Sequence, residues 1–160
     1  MTYTADPGTR VGHVHLKVAD LERSIAFYRD VLGFEEQQRF GNSAAFLSAG
    51  GYHHHLGLNT WESRGGQPPA RGTTGLYHVA FLYPDRAALG RAVAQVMRAG
   101  VALQGAADHG VSEAVYFSDP DGNGIELYRD RDMADWPRDA DGDLAMVNAP
   151  LNVEALAFGG

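Results

Sequence analysis

The sequence predicts an α+β protein of two βαβββ units that form a cup-shaped mixed β-sheet with flanking helices. The first observation is a repeat: His13-Val14-His15-Leu16 and His78-Val79-Ala80-Phe81 each have an aspartate, Asp20 or Asp85, seven places after the first histidine. The second is that each copy begins an apolar segment leading into a helical pattern and then into glycine-rich hairpins. Repeated units of this kind usually stack to bury a shared core. A pseudo-two-fold relation would bring His13 and His78 toward the same interior.

The first unit is predicted over residues 8–62. Its first strand alternates apolar and polar residues, and Asp20 can cap the helix that follows, with Gly33 as its stop. The glycine pair Gly50-Gly51 marks a turn between the later strands. The predicted elements are a strand over 11–18, a helix over 21–32, and strands over 34–40, 43–48 and 52–61.

A linker rich in glycine, proline and arginine, residues 63–75, separates this unit from a second over 76–131. The turn Asp119-Pro120-Asp121-Gly122-Asn123 precedes the last strand. The predicted elements are a strand over 76–83, a helix over 86–99, and strands over 101–104, 112–118 and 124–129. Residues 132–160 form a polar, then weakly apolar tail, which we expect to pack over a neighbouring surface.

Composition excludes several classes of function. The formal charge of −7 and the absence of a Lys/Arg cluster disfavour nucleic acid as a partner, and no apolar run is long enough for a membrane span. With no cysteine, the chain has no disulfide or thiolate ligand, which fits a cytoplasmic location. Any metal must therefore be held by histidine, carboxylate or water.

Three residues are candidate metal ligands: His13, His78 and Glu126. Two imidazoles and a carboxylate on one face leave coordination positions open, an arrangement that suits non-haem Fe(II) and also Mn(II), Co(II) or Ni(II). A lone strand histidine more often has a purely structural role. The repetition at matched spacing and the carboxylate at the end of the second copy favour a metal site.

Other candidate residues are ambiguous from sequence alone. On a strand His53 and His55 would share a face and His54 would take the other, so one of them could be a fourth ligand or an acid/base, or all could be a solvated strand end. His109 and Tyr116 could hydrogen-bond an anionic substrate. Exposed loop polarity and core packing, respectively, are simpler interpretations of these two.

The repeated unit, the helix start over residues 20–28 (Asp-Leu-Glu-Arg-Ser-Ile-Ala-Phe-Tyr) and the turn and strand over 119–126 (Asp-Pro-Asp-Gly-Asn-Gly-Ile-Glu) resemble the vicinal oxygen chelate superfamily. The likeness covers residues 8–131. Within the superfamily the chain looks most like type I extradiol ring-cleaving dioxygenases of the catechol 2,3-dioxygenase kind, a likeness to which His-His-His-Leu-Gly-Leu-Asn-Thr-Trp over 53–61 contributes.

The resemblance implies a role for each candidate residue. The family's ligands fall on His13, His78 and Glu126, and its histidine and tyrosine beside the metal site fall on His109 and Tyr116. Its acid/base histidine falls on His54. By contrast, His55 is the better match to the ligand glutamate of glyoxalase I.

The implied function is a metal-dependent extradiol-type dioxygenase that cleaves a catechol-like diol with O₂ in aromatic compound catabolism. Fe(II) is the expected metal, with Mn(II), Ni(II), Co(II) or Zn(II) as alternatives. Such enzymes usually carry four units, whereas this chain has two, as do bleomycin-binding proteins, fosfomycin-resistance enzymes and glyoxalase I. Two alternatives stay open: a glyoxalase-type isomerase or lyase, with His55 as fourth ligand and Glu126 as ligand and base, and a metal-free small-molecule-binding protein.

The expected partners follow from these observations. We expect a small-molecule substrate, no nucleic acid and no membrane. We also expect a homodimer, because the exposed edges of such sheets commonly pair.

Overall fold

The computed structural model describes residues 2–159 and confirms the α+β class. The described chain divides into two compact units, one of residues 2–29 and 33–67 and the other of residues 30–32 and 68–159. Each unit carries its own mixed sheet, and the order βαβββ occurs in both. No helix among the described residues is long and apolar enough to cross a membrane.

The first unit contains a four-stranded sheet in the order β1-β4-β3-β2. Strand β1 runs parallel to β4, and the other pairs are antiparallel. Helix α1 is capped by Asp20, whose carboxylate accepts a hydrogen bond from the backbone N–H of Arg23 at 3.0 Å. The elements are β1 (Val14–Lys17), α1 (Leu21–Asp30), β2 (Glu35–Phe40), β3 (Ala44–Ser48) and β4 (Leu56–Asn59).

The second unit contains a five-stranded sheet in the order β5-β8-β7-β6-β9. Strand β5 is parallel to β8, and the remaining pairs are antiparallel. The elements are β5 (His78–Leu82), α2 (Arg86–Arg98), β6 (Gly105–Asp108), β7 (Ser112–Ser118), β8 (Gly124–Asp130), a 3₁₀ helix (Met133–Asp135), β9 (Ala149–Pro150) and α3 (Val153–Phe158).

Two strand predictions were wrong in position. The strand expected over 101–104 is instead the segment that leaves α2, because the Val101 N–H bonds back to the Val96 carbonyl, and the strand begins at Gly105. The strand expected over 52–61 begins at Leu56, because the ladder to β3 starts at the Leu47–Leu56 pair. Residues 52–55 stack their rings on one another before the ladder begins.

The two faces of the second sheet have different chemistry. One face is mostly buried and apolar, with Phe117, Ile125 and Leu127 among its residues. It also holds the ion pair of Glu113 and Arg129. On the opposite face lie Tyr116 and Glu126, directly across from each other and half-buried. Because neighbours along a strand point to opposite faces, one face packs the core and the other presents polar groups.

The C-terminal tail belongs to the second unit. Strand β9 pairs with β6 at the edge of the sheet, and the buried Leu156 anchors α3, which contacts α2. The prediction that the tail packs over a neighbouring surface agrees with this arrangement.

Gly90 on α2 makes the contact between α2 and α3 possible. A Cβ at this position would collide with the backbone carbonyl oxygen of Leu156. We therefore expect Gly90→Ala to destabilise the protein by about 1–3 kcal/mol, the usual cost of overpacking. At an uncrowded interior helix position the same change would stabilise by about 1 kcal/mol.

Urea unfolding followed by circular dichroism measures this effect. The control is Arg91→Ala, at the exposed neighbouring position of the same helix, for which we expect a change within about 0.5 kcal/mol. A Gly90→Ala protein more stable than the wild type would contradict the close packing of α3.

Candidate metal centre

The register of the second sheet brings three predicted site residues together. Glu126 lies in the middle of β8, with Tyr116 of β7 directly opposite on one side and Ala80 of β5 on the other. His78 pairs with Gly124, two residues before Glu126 on β8. Since positions two apart on a strand share a face, His78, Tyr116 and Glu126 all lie on the polar face of the sheet.

Polar contacts join these side chains and His109 into a continuous chain. His78 Nε2 lies 2.9 Å from Glu126 Oε2, and the Tyr116 hydroxyl lies 3.4 Å from Glu126 Oε1. The His109 Nε2 atom is 2.9 Å from the same hydroxyl. Each of the four residues therefore contacts the next, from His78 through Glu126 and Tyr116 to His109.

The turn before β8 fixes the register that places Glu126. The carboxylate of Asp119 accepts hydrogen bonds from the backbone N–H of Asp121 and of Asn123, both at 2.9 Å, and from the Asn123 side chain at 2.8 Å. Asp119 is buried, so these bonds compensate for its desolvation. A shift of one residue in this turn would move Glu126 to the apolar face.

Tyr116 keeps its proton at neutral pH. Burial, and next the negative charge of Glu126, raise the pKa of Tyr116 to about 12. The hydroxyl has one hydrogen to donate and two acceptors near it, His109 Nε2 and Glu126 Oε1. The hydroxyl is closer to the imidazole, at 2.9 Å, than to the carboxylate, at 3.4 Å.

A pocket of about 500 Å³ opens beside these residues. His78 and Tyr116 form part of its wall, and glycines form another part. The other lining residues are Tyr77, Gln104, Gly105, Phe117, Ser118, Gly122, Gly124 and Ile125. Its volume is in the range of small-molecule pockets, which run from roughly 300 to 1,000 Å³.

In the first unit, His13 and His54 lie against each other. His13 directly precedes β1, and the centroids of the two rings are 4.5 Å apart. Phe46 of β3 packs on His54 from another side, at 4.9 Å between centroids. Burial, and next the neighbouring imidazole of His13, lower the pKa of His54. His54 is therefore neutral at neutral pH and able to accept a proton.

The other histidines of the first unit have different environments. His55 Nδ1 accepts a hydrogen bond from the backbone N–H of Ala49 at 3.3 Å, so this ring is directed to the turn after β3. His15 Nε2 lies 3.0 Å from the amide nitrogen of Asn59. His53 Nδ1 lies 2.9 Å from Nδ1 of His54. Of the three consecutive histidines, His54 is the one whose ring contacts His13.

The donor atoms of the second unit fit a metal ion in part. Within residues 2–159, no group of three or more His, Asp or Glu side chains converges closely enough to hold a metal. Two donors do converge, His78 Nε2 and Glu126 Oε2, at 2.9 Å. Ligands at right angles around a metal with bonds of about 2.1 Å are about 3 Å apart, so this pair has the spacing of adjacent octahedral positions.

The sequence reasoning missed one contact of this site. The backbone carbonyl of Val147, in the C-terminal tail, lies 3.1 Å from His109 Nδ1. No sequence signal marks this contact, because every residue carries a backbone carbonyl.

Comparison with known proteins identifies the family of this chain. A sequence model of the Glyoxalase/Bleomycin resistance protein/Dioxygenase superfamily matches residues 10–127. The chain belongs to this superfamily. The resemblance stated from the sequence motifs is thereby confirmed, and the matched region contains His78, Glu126, Tyr116 and His109 together with His13 and His54.

Three relatives illustrate the match. The catechol-2,3-dioxygenase of Bacillus subtilis (strain 168) is 43% identical over 148 residues, which are 92% of this chain and 51% of that protein. The biphenyl-2,3-diol 1,2-dioxygenase 3 of Rhodococcus globerulus is 34% identical over 76% of this chain and 63% of its own length. The crystal structure of a glyoxalase/dioxygenase from Nostoc punctiforme, 26% identical, superposes with a TM-score of 0.65 over 82% of this chain and 99% of that one.

This chain spans about half the length of the Bacillus relative and 63% of the length of the Rhodococcus relative. The match to the Nostoc structure covers nearly all of that protein. The fold is therefore shared with a solved relative over 82% of this chain.

Proposed function

We propose that this chain is an extradiol-type dioxygenase that cleaves a catechol-like aromatic diol with O₂. His13, His78 and Glu126 are the proposed ligands of a divalent metal, for which Fe(II) is the first choice. The observation that carries the proposal is the chain of polar contacts from His78 to His109, in a protein 43% identical to a catechol-2,3-dioxygenase.

A divalent metal bound there would favour the deprotonated form of a diol and hold two adjacent oxygens. The distance of 2.9 Å between His78 Nε2 and Glu126 Oε2 supports their role as neighbouring ligands. His13, in the other unit, is proposed as the third ligand because it occupies the equivalent place in the repeat.

His54, His109 and Tyr116 are the proposed groups that act on the substrate. The neutral imidazole of His54, in contact with His13, is suited to accept a proton from the diol. Tyr116 holds its proton at neutral pH and can donate a hydrogen bond to an anionic oxygen. The pocket of about 500 Å³ beside His78 and Tyr116 is large enough for a small aromatic molecule.

The environment of His55 disfavours the isomerase alternative. That function assigns His55 as a fourth metal ligand, yet Nδ1 of this ring accepts a hydrogen bond from Ala49 at the turn. The ring also packs near Phe34, with 6.5 Å between centroids. His54 is better placed than His55 beside His13, which favours an acid/base role over a fourth ligand.

The test is ring cleavage by the reconstituted protein. The chain is loaded with Fe(II) without air, 4-methylcatechol is added and then air, and absorbance is followed in the near-ultraviolet and visible. We expect a yellow ring-fission product from the wild type and none from His78→Ala. His15→Ala is the matched control: it removes an imidazole of strand β1 that is not a proposed ligand and whose Nε2 lies 3.0 Å from the side-chain amide of Asn59, and it should still give product.

The alternatives predict other results. A protein that binds one metal per chain and gives no product would contradict the dioxygenase proposal and favour isomerase chemistry. A protein that binds no metal would favour small-molecule binding. Fe(II), homodimerisation and a cytoplasmic location stay predictions.

A further inference from the structure

The C-terminal tail forms a reciprocal pair of hydrogen bonds with His109. The backbone N–H of Val147 donates to the His109 carbonyl oxygen at 3.0 Å, and His109 Nδ1 lies 3.1 Å from the Val147 carbonyl oxygen. Strand β9 continues this pairing along β6, where Asp108 is opposite Ala149. The tail therefore holds both the backbone and the side chain of His109.

A second set of contacts holds the tail where it meets the loop of His109. The indole N–H of Trp136 donates to the Arg131 carbonyl at 2.9 Å, and the Ala145 N–H donates to the Pro137 carbonyl at 2.9 Å. Pro137 in turn packs on Gly110, next to His109. A Cβ at Gly110 would lie 2.7 Å from Pro137 Cγ and 3.3 Å from Val147 Cγ2. Residues 136–147 thus fold back onto the His109 loop.

The Val147 carbonyl determines which ring nitrogen of a neutral His109 carries hydrogen. A carbonyl oxygen only accepts hydrogen bonds, so Nδ1 must be the protonated nitrogen. Nε2 then has a free lone pair and accepts from the Tyr116 hydroxyl, at 2.9 Å. The partner of one imidazole nitrogen sets the role of the other.

This arrangement also determines where the Tyr116 hydroxyl points. Its single hydrogen is directed to His109 Nε2, away from Glu126 Oε1 at 3.4 Å. In the other tautomer, with hydrogen on Nε2, His109 would donate to the Tyr116 oxygen, and the hydroxyl would turn toward Glu126. In the Nδ1–H tautomer the Tyr116 hydrogen therefore goes to His109 and not to the Glu126 carboxylate.

We propose that the tail, residues 136–150, is a positioning element for the active site: its Val147 carbonyl fixes the orientation and the Nδ1–H tautomer of His109, and through them the hydroxyl of Tyr116. The role in turnover rests on the proposed dioxygenase function, whereas the tautomer is a property of the chain itself. The family match ends at residue 127, so the tail lies outside the region that defines the superfamily.

The test is nitrogen NMR of the histidine rings in the full chain, ¹⁵N-labelled and free of metal, in mildly alkaline buffer where imidazole is neutral. Val147→Pro removes the N–H that bonds to the His109 carbonyl, which should release the tail from His109. Val147→Ala is the matched control, because it keeps both backbone groups. We expect the Nδ1–H tautomer for His109 in the wild type and in Val147→Ala, and mainly the Nε2–H tautomer in Val147→Pro.

A second pair of variants reaches the same contact from the other side. Gly110→Ala should push Pro137 and Val147 away, whereas Gly142→Ala places a Cβ in open space at a similar positive φ. Only Gly110→Ala should change the tautomer. If Val147→Pro does not fold, the comparison of Gly110→Ala with Gly142→Ala tests whether the tail sets the tautomer of His109.

The outcomes separate this proposal from the proposed function. An Nε2–H tautomer in the wild type, or an unchanged Nδ1–H tautomer in both Val147→Pro and Gly110→Ala, would overturn the positioning role even if the enzyme cleaves catechols. With ring cleavage established, Val147→Pro should lower kcat about tenfold or more with little change in KM, since the substrate contacts remain. Equal kcat in Val147→Pro and Val147→Ala would also overturn it.

Discussion

Glu126→Gln is expected to abolish tight metal binding by the full chain. The carboxylate is the only anion of the three proposed ligands, and its Oε2 lies 2.9 Å from Nε2 of His78. A neutral amide removes that charge and offers a weaker oxygen donor. Loss of a hydrogen-bond partner of a ligand typically costs 10- to 100-fold in metal affinity, so loss of the ligand itself should cost at least about 100-fold. Anaerobic titration with Fe(II) or Co(II), with metal counted after gel filtration, measures the change.

Tyr116→Phe is the matched control within the same site. It deletes the hydroxyl 3.4 Å from Glu126 Oε1 and leaves the proposed ligands in place. We expect this variant to bind one metal per chain and to lose turnover, because the hydroxyl is proposed to act on substrate and is not a proposed metal ligand. Stoichiometric metal retained by Glu126→Gln would contradict the proposed ligand set.

The parts of the fold that are periodic in sequence could be predicted from it. Helix α2 begins at Arg86 as expected, and Asp85 caps it by accepting from the Ala88 N–H at 2.7 Å. Strand β7 has the predicted bounds, Ser112–Ser118, because its burial pattern and flanking turns are clear. These elements are set by local chemistry, which a sequence carries directly.

Other features depend on partners that are distant in sequence. The strand at Gly105–Asp108 is defined by its pairing with β7. The apolar residues Val101 and Leu103 led the sequence pattern to predict this strand too early in the chain. Which of His53, His54 and His55 lies beside His13 depends on a turn that interrupts the alternation expected of a strand. The roles of His109 and Tyr116 were ambiguous when each residue was considered alone. In the structure the His109 Nε2 atom lies 2.9 Å from the Tyr116 hydroxyl, so each has the other as a partner.

Glu113→Gln should destabilise the second unit by about 3–5 kcal/mol, the usual cost of breaking a buried ion pair from one side. Glu113 lies on β7, on the sheet face opposite the proposed metal site, and is 5% exposed. Its Oε2 atom lies 2.8 Å from Nη2 of Arg129 and 3.2 Å from Nε of Arg86. Arg131 lies 3.8 Å from the other oxygen. Without the carboxylate, the guanidinium groups of Arg86 and Arg129 would lose the anion between them, whereas Arg131 keeps its two hydrogen bonds to Asp108.

A double-mutant cycle measured by urea unfolding uses Glu113→Gln, Arg129→Gln and the variant with both changes. It separates the free energy lost with the ion pair from the cost of leaving the Arg129 charge without a partner. Because much of the loss comes from leaving Arg129 unpaired, the double variant should be more stable than Glu113→Gln alone.

Glu22→Gln is the surface control: this carboxylate bonds to Arg39 but is 69% exposed, and the change should cost less than about 1 kcal/mol. Equal losses for Glu113→Gln and Glu22→Gln would mean that the buried cluster contributes no more than a solvated pair. Since Glu113 is on the core side of the sheet, its loss should lower stability while metal affinity per folded chain stays unchanged, the reverse of the result expected for Glu126.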